Sequence, residues 1–283
     1  MPLFTMPKIK ISRRIKIILG ILITISAAVL IFLFFWSAWN NMFQQNERFL
    51  LTHFSVVSAD GEGWWHGKED QVLKHLAMPG KEPEDAIRIV EGVTNLFSLD
   101  LEKIRKKLEL VPEIEQAKVS RILPNTLHIK ITERTPAAAI GSRQSFFLAD
   151  QNGVVIRRSR SLKITGSLPV IYGFKRGVPA PGKTFEDLLP ALEFIRLSRT
   201  AYGELNIVMI NVASEDYLVM RLFFKENRMD YYDVWVPVKK AENGMDRILT
   251  SIYEIKKMGI NRRNIDLRYE NQTILRASRE GKR

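Results

Sequence analysis

NLFSLDLEKIRKKLELVPEIEQAKVSRILPNTLHIKITERTP, residues 95–136, is the stretch from which the fold can be read. In its first half Leu101, Ile104 and Leu108 recur at i, i+3 and i+7, the stripe of a helix that buries one side. Ser98 or Asp100 is suited to cap its start, and Pro112, lacking an N–H, cannot continue it. Two strands follow, EIEQAKVSRIL and TLHIKITER, joined by a turn at Pro124-Asn125. In the second, Leu127, Ile129 and Ile131 point one way while His128, Lys130 and Thr132 point the other.

Immediately upstream, HFSVVSADGEGWW (53–65) reads as a strand running into a Gly-rich turn, with Phe54 and Val56 alternating. KEDQVLKHLA (68–77) places Val72, Leu73 and Leu76 at helical spacing, and MPGKEPED (78–85) is a loop broken by Pro79, Gly80 and Pro83. The order strand, helix, helix, strand, strand predicts a small α+β unit over 53–134, its helices on one face of a three-stranded sheet.

Further back, residues 17–39, IILGILITISAAVLIFLFFWSAW, carry no charge, and a helix needs about twenty such residues to cross the hydrocarbon core. Lys8, Lys10, Arg13, Arg14 and Lys16 in the short tail 1–16 place that end in the cytoplasm, and Trp36 and Trp39 suit the far interface. A cleaved signal peptide has a shorter apolar region ending in small side chains, whereas this one ends in FLFFW, so an uncleaved anchor is expected. Residues 40–52 form a stalk, and roughly 240 residues lie outside the cytoplasm.

After ERTP the pattern turns mostly to strands: SFFLAD, GVVIRR, LPVIYGF, LNIVMINV, YLVMRLFF and DYYDVWVPV. Two helices interrupt them. TFEDLLPALEFIRLSR has Thr184 as cap and Phe185, Leu188, Leu192 and Ile195 inward. NGMDRILTSIYEIKKMG buries Met245, Ile248, Leu249, Ile252 and Ile255 and is closed by Gly259. IDLRYENQTILRAS (265–278) ends the pattern as strand, turn and strand ahead of a charged tail, 279–283. The predicted fold is thus α+β: one transmembrane helix, the small unit, then a mixed β domain with two helices over 135–278.

Composition narrows the chemistry. The net charge of +12 invites nucleic acid, but outside the tail the charges alternate in sign, as in EKIRKKLE, and no nucleic-acid-binding motif appears. The chain has no cysteine, which excludes thiol catalysis and Cys-based zinc sites. GVPAPGKT (177–184) matches the phosphate-loop pattern, yet Pro179 and Pro181 have no N–H to aim at a phosphate, and NIVMIN ends in Asn211 where a magnesium-holding Asp is needed. His53, His66, His75 and His128 are scattered, and no Ser is followed three residues later by Lys, the nucleophile motif of penicillin-binding proteins. Trp64-Trp65 suits strand-end packing better than sugar stacking. No cofactor or metal is expected.

Taken in order, these pieces resemble the FtsQ/DivIB family of bacterial cell-division proteins. Asp100, Leu101, Ile104, Leu108, Pro112, Ala117, Val119, Arg121, Pro124, Leu127, Ile129, Glu133, Arg134 and Pro136 are similar to that family's POTRA domain. FFLADQNGVV and LPVIYG resemble the start of its β domain, and IDLRY its closing signature. The tail is shorter than usual, MPGKEPEDAIRIVEGV is longer, and the final turn, YENQT, lacks the family's frequent Gly. The resemblance implies a non-catalytic divisome scaffold of the inner membrane at the septum. It implies FtsB-like and FtsL-like coiled-coil partners that link to septal peptidoglycan synthesis, one of them adding a strand to the edge left by the last strand. It rivals two other readings, a POTRA module for protein export or outer-membrane assembly and a cell-wall glycan-binding protein or enzyme.

For that edge the residues themselves can be weighed. In IDLRY, Ile265, Leu267 and Tyr269 are expected to face the core and Asp266 and Arg268 solvent. TILRAS has no successor, so it is an edge, blunted by Arg276 and Arg279 or used by a partner. The expected partner-binding residues are Arg268 for a charge contact, Tyr269 as an aromatic anchor, and Asn271, Thr273, Ile274, Leu275, Arg276 and Ala277.

Overall fold

The structure, a computed structural model, describes residues 13–79, 86–158, 162, 164, 167–270 and 272–277. The expected basic tail up to position 12, the MPGKEPED loop from Gly80 onward, Asn271 and the end from Ser278 onward lie outside the described residues.

The apolar run forms helix α1, Arg13–Trp39. The span Ile18–Gln44 is long and apolar enough to cross a membrane, and its large side chains stand bare: Leu30 is 64% exposed and Phe35 67%. A helix apolar all round and uncovered by protein is matched to lipid rather than water.

The chain then divides into two compact units. One holds the chain up to Phe54 with Arg88–Leu101 and Ser120–His128; the other holds Ser55–Ile87, Glu102–Val119 and everything from Ile129. The predicted β-α-α-β-β order is present as β1 (His53–Ser58), α2 (Glu69–Ala77), α3 (Leu101–Glu109), β2 (Ile114–Ile122) and β3 (Thr126–Glu133). β3 is the middle strand of their sheet. Its period-2 pattern is visible in burial: Leu127, Ile129 and Ile131 are fully buried, while Lys130 is exposed. Val72 and Leu76 of α2 and Ile104 and Leu108 of α3 are buried too, the stripes that spacing predicted.

The rest of the second unit is built on a larger sheet. Its strands are β4 (Pro136–Ile140), β5 (Phe147–Asp150), β6 (Val155–Arg157), β7 (Val170–Tyr172), β8 (Leu205–Asn211), β9 (Tyr217–Phe224), β10 (Asn227–Pro237), β11 (Asn264–Asp266) and β12 (Ile274–Arg276). They lie in the order β12-β11-β10-β9-β8-β7-β4-β5-β6. Two helices, α4 (Leu189–Thr200) and α5 (Ala241–Lys257), make the crossovers into the parallel pairs β7–β8 and β10–β11. Phe194, Leu192 and Ile195 of α4 and Met245, Ile248 and Ile252 of α5 share one core with Leu218, Met220, Val234, Val236, Ile265 and Leu267 of the sheet. A smaller cluster, Ala139, Leu148, Ile156, Leu162 and Val170, lies apart from it.

One expectation about the helix ends is corrected and one is met. Thr184 does not cap α4: a short 3₁₀ turn, Glu186–Leu188, intervenes and Leu188 precedes the helix without a side-chain cap, while Thr184 forms a bridge with Val154. Helix α5 does close at Gly259, whose φ of 67° is costly for other residues. Gly259 N donates to Lys256 O and Ile260 N to Ile255 O, the paired bonds that satisfy the last carbonyls.

Gly244 inside α5 has a different reason. A Cβ there would stand 2.8 Å from Val236 Cγ2 and 3.1 Å from the Phe194 ring, so its absence lets the helix approach the sheet. Gly244→Ala should therefore destabilise by about 1–3 kcal/mol through overpacking, although alanine in an exposed helix gains about 1 kcal/mol. Urea unfolding measures the sign, and a stabilised variant would mean that α5 has room to move.

Candidate partner-binding edge

The end of the large sheet follows from alternation along β11. Ile265 and Leu267 are fully buried in the helix-side core, which turns Asp266 to the opposite face. β10 lies alongside in parallel, pairing Val234 with Ile265 and Trp235 with Asp266. β12 returns antiparallel, with Asn264 opposite Arg276, Ile265 opposite Leu275 and Asp266 opposite Ile274. Leu275 packs against the core, while Ile274 is 41% exposed.

Asp266 is the hub of that opposite face. Its side chain is 1% exposed and carries two guanidiniums. Oδ1 accepts from Arg268 N at 3.1 Å and Arg268 Nε at 2.9 Å; Oδ2 accepts from Arg268 Nη2 at 2.9 Å and Arg276 Nε at 3.0 Å, with Arg276 Nη2 closer still. Burial by itself raises the Asp266 pKa, but the hydrogen bonds from Arg268 and Arg276 outweigh it and hold the carboxyl below its usual range. The same bonds push Arg268 up. Each arginine also covers a ring: Arg268 lies 4.7 Å from Tyr217 and 5.7 Å from Tyr269, and Arg276 lies 4.9 Å from Trp235.

The connection from 267 to 273 is tied to α5. Arg247 donates to Leu267 O at 2.9 Å, Tyr269 O at 2.8 Å and Gln272 O at 3.0 Å, and the Ser251 and Thr273 hydroxyls meet at 3.1 Å. So the expected tight turn is a longer loop held by three charge-assisted bonds.

The sequence-based orientation is thus partly reversed. Asp266 does not face solvent; two arginines neutralise it in a buried position, and Arg268 is itself only a quarter exposed. Tyr269 does not enter the core: the strand stops at Asp266, alternation ends with it, and the ring is 51% exposed. Around it Thr273, Ile274, Arg276 and Ala277 are exposed and Leu275 is half-buried. The structure gathers Arg268, Tyr269 and Thr273–Ala277 at one sheet end, and Asn271 falls outside the described residues. Sequence reasoning missed Asp266 as hub, and with it Trp235, Tyr217 and Arg247. The one usable signal was the shared parity of Asp266 and Arg268 in a strand.

The two ends of the sheet differ. At β6 the outer side is occupied: Val155 N donates to Lys183 O and Gly182 N donates to Val155 O, both at 2.8 Å. This also accounts for GVPAPGKT, whose N–H groups at Gly182 and Lys183, like that of Phe185 just after it, are bonded to this chain's own carbonyls. At β12, last in the strand order, no strand lies beyond among the described residues. An unpaired edge of this kind can accept another strand. No group of three His, Asp or Glu side chains able to hold a metal occurs among the described residues.

Comparison with known proteins fits this architecture. Residues 83–134 match the model of the FtsQ-type POTRA domain. The cell division protein FtsQ of Koribacter versatilis is 26% identical over 95% of this chain and 72% of its own length. The cell division protein FtsQ of Novosphingobium aromaticivorans is 33% identical over 43% of this chain, and the cell division protein DivIB of Geobacillus kaustophilus 31% over 36%. The latter two matches span less than half of those relatives, 38% and 41% of their lengths.

Proposed function

We propose that this chain, which carries an FtsQ-type POTRA domain at 83–134 and is 26% identical to an FtsQ over 95% of its length, is a member of the FtsQ/DivIB family and a non-catalytic, single-pass scaffold of the division machinery. In this reading α1 anchors it in the inner membrane at the septum with its N-terminus in the cytoplasm. The 53–134 and 135–278 regions work outside as POTRA and β domains. The edge of β12 receives a strand from an FtsB-like partner that travels with an FtsL-like one, and the complex bears on septal peptidoglycan synthesis.

The observation that carries the reading is the asymmetry of the large sheet, sealed at β6 and, among the described residues, open at β12. An open edge is an aggregation liability unless it is used. Backbone groups of β12 supply affinity to an added strand, and the exposed Tyr269, Ile274 and Arg276 beside it supply specificity. Arg247 and Asp266 hold that surface ready, so little ordering remains to be done on binding.

The test is a titration of the full-length chain in nanodiscs with FtsB-like partners. Tyr269→Ala should weaken binding by about thirtyfold, as the loss of an aromatic hot spot does. Truncation after Asn271 should remove it. Failure of every such partner to bind the intact chain would refute the scaffold. Undiminished binding by the truncated chain would refute only the edge.

A further inference from the structure

Beyond Trp39 the helix runs into a π-helical turn, Asn40–Gln44, in which the carbonyls of Met42 and Phe43 are taken by side chains. Asn95, a buried polar residue, donates Nδ2 to Phe43 O at 3.0 Å and to Asn46 O at 3.3 Å, and its Oδ1 accepts from Phe97 N at 2.8 Å. Asn46 donates to Met42 O at 3.2 Å and accepts from Arg48 N at 3.0 Å. Rings close over these bonds. Phe43 lies 4.4 Å from Trp39, 5.8 Å from Phe49 and 5.1 Å from Phe97, and Phe49 lies 4.9 Å from Phe97. Arg121 covers Phe97 at 5.6 Å while donating to Leu96 O and Leu99 O. Every one of these residues belongs to the same compact unit as α1.

Their height above the bilayer follows from helix geometry. Trp36 and Trp39 are the side chains that settle at the membrane interface. Phe43 stands one turn further, about 6 Å along the axis, and the headgroup layer of one leaflet is roughly 5–7 Å deep. A ring held against Phe43 therefore lies at headgroup depth. Aromatic rings and arginines suit that layer, the first by their amphipathic edges and the second by pairing with phosphates.

We propose that Asn95 and the Phe43–Phe49–Phe97 cluster clamp the base of this unit onto the lipid headgroups of the bilayer that holds α1, with Arg48 and Arg121 at the phosphates. The unit is seated at a fixed depth and does not swing on a linker. This rests on α1 being a membrane anchor, and the experiment separates the two claims.

The absence of native cysteine makes a single label unique. Ser98, exposed and next to Phe97, is replaced by cysteine and labelled with bimane in the full-length chain. The chain is reconstituted into phosphatidylethanolamine/phosphatidylglycerol vesicles with or without lipid carrying a headgroup nitroxide. The seat predicts at least a twofold loss of emission from the nitroxide lipid. A flexible Gly-Ser-Gly-Ser insertion between Gln45 and Asn46 should cancel most of it. Equal quenching with the insertion would overturn the clamp. A label reached by aqueous iodide but not by the nitroxide, in protein that stays with the vesicles in alkaline carbonate, would overturn the seat and leave the anchor standing. Release of the protein by carbonate would overturn the anchor and the seat with it.

Discussion

Replacing Arg134 by alanine should destabilise the second unit by about 3–5 kcal/mol, a fall in thermal midpoint of about 10 °C for a domain of this size. Arg134 follows β3, and its side chain is 13% exposed. Each of its three guanidinium nitrogens is engaged: Nε with Pro112 O and Nη2 with Ile114 O, each at 3.1 Å, and Nη1 with Asp150 Oδ2 at 2.6 Å. Asp150, 5% exposed, also accepts from Asn152 N and Val154 N through Oδ1 and so shapes the β5–β6 turn. Alanine would leave two carbonyls and a buried carboxylate without their cation, which costs more than the pair is worth when intact. The double variant Arg134→Met with Asp150→Asn should recover part of the loss, because no unpaired charge is then buried. Arg134→Lys should fall between, since an ammonium cannot reach three acceptors in a planar fork. An alanine variant melting within a degree or two of wild type would show that the ion pair carries nothing.

How far the sequence could be read varies with how local the cause of each feature is. The stripe of α3 and the alternation of β3 are written in consecutive residues, and both are present. β4, PAAAI, went unread because it lies between β5 and β7 with every residue buried. A strand covered on both faces shows no alternation, and alanine has little strand preference to announce it. Thr184 resembled a cap but was drawn into a bridge with Val154, a partner far away in sequence. At the candidate edge, parity assigned Asp266 and Arg268 to one face, as observed. Burial of Asp266 depends on Arg276, which reaches back from the next strand, and no local pattern reports that. Arg247 is less legible still, a polar helix residue whose bonds all go to a loop that follows much later.

Asp266→Asn should loosen the same edge that the partner is expected to use, by about 1–3 kcal/mol of folding stability. The amide keeps the shape but removes the charge that Arg268 and Arg276 share. The loss stays below that of Arg134→Ala because both arginines retain access to water, with side chains 25% and 41% exposed, and can rehydrate. The contribution depends on pH in a definite sense. Because the folded pKa of Asp266 is lowered, the carboxylate stabilises the fold fully above the ordinary value of 3.8. That stabilisation is lost as the pH falls through the lowered folded value. The gap in urea midpoint between wild type and Asp266→Asn should therefore be widest near about pH 7 and close toward about pH 2. A gap that does not change with pH would mean that the variant acts by shape and not by charge. In partner titrations the variant should bind more weakly even though Tyr269 and the β12 backbone are unaltered, because the arginines no longer hold the loop and strand in one arrangement. Full affinity in a variant that has lost stability would separate the hub from the binding surface and confine Asp266 to folding.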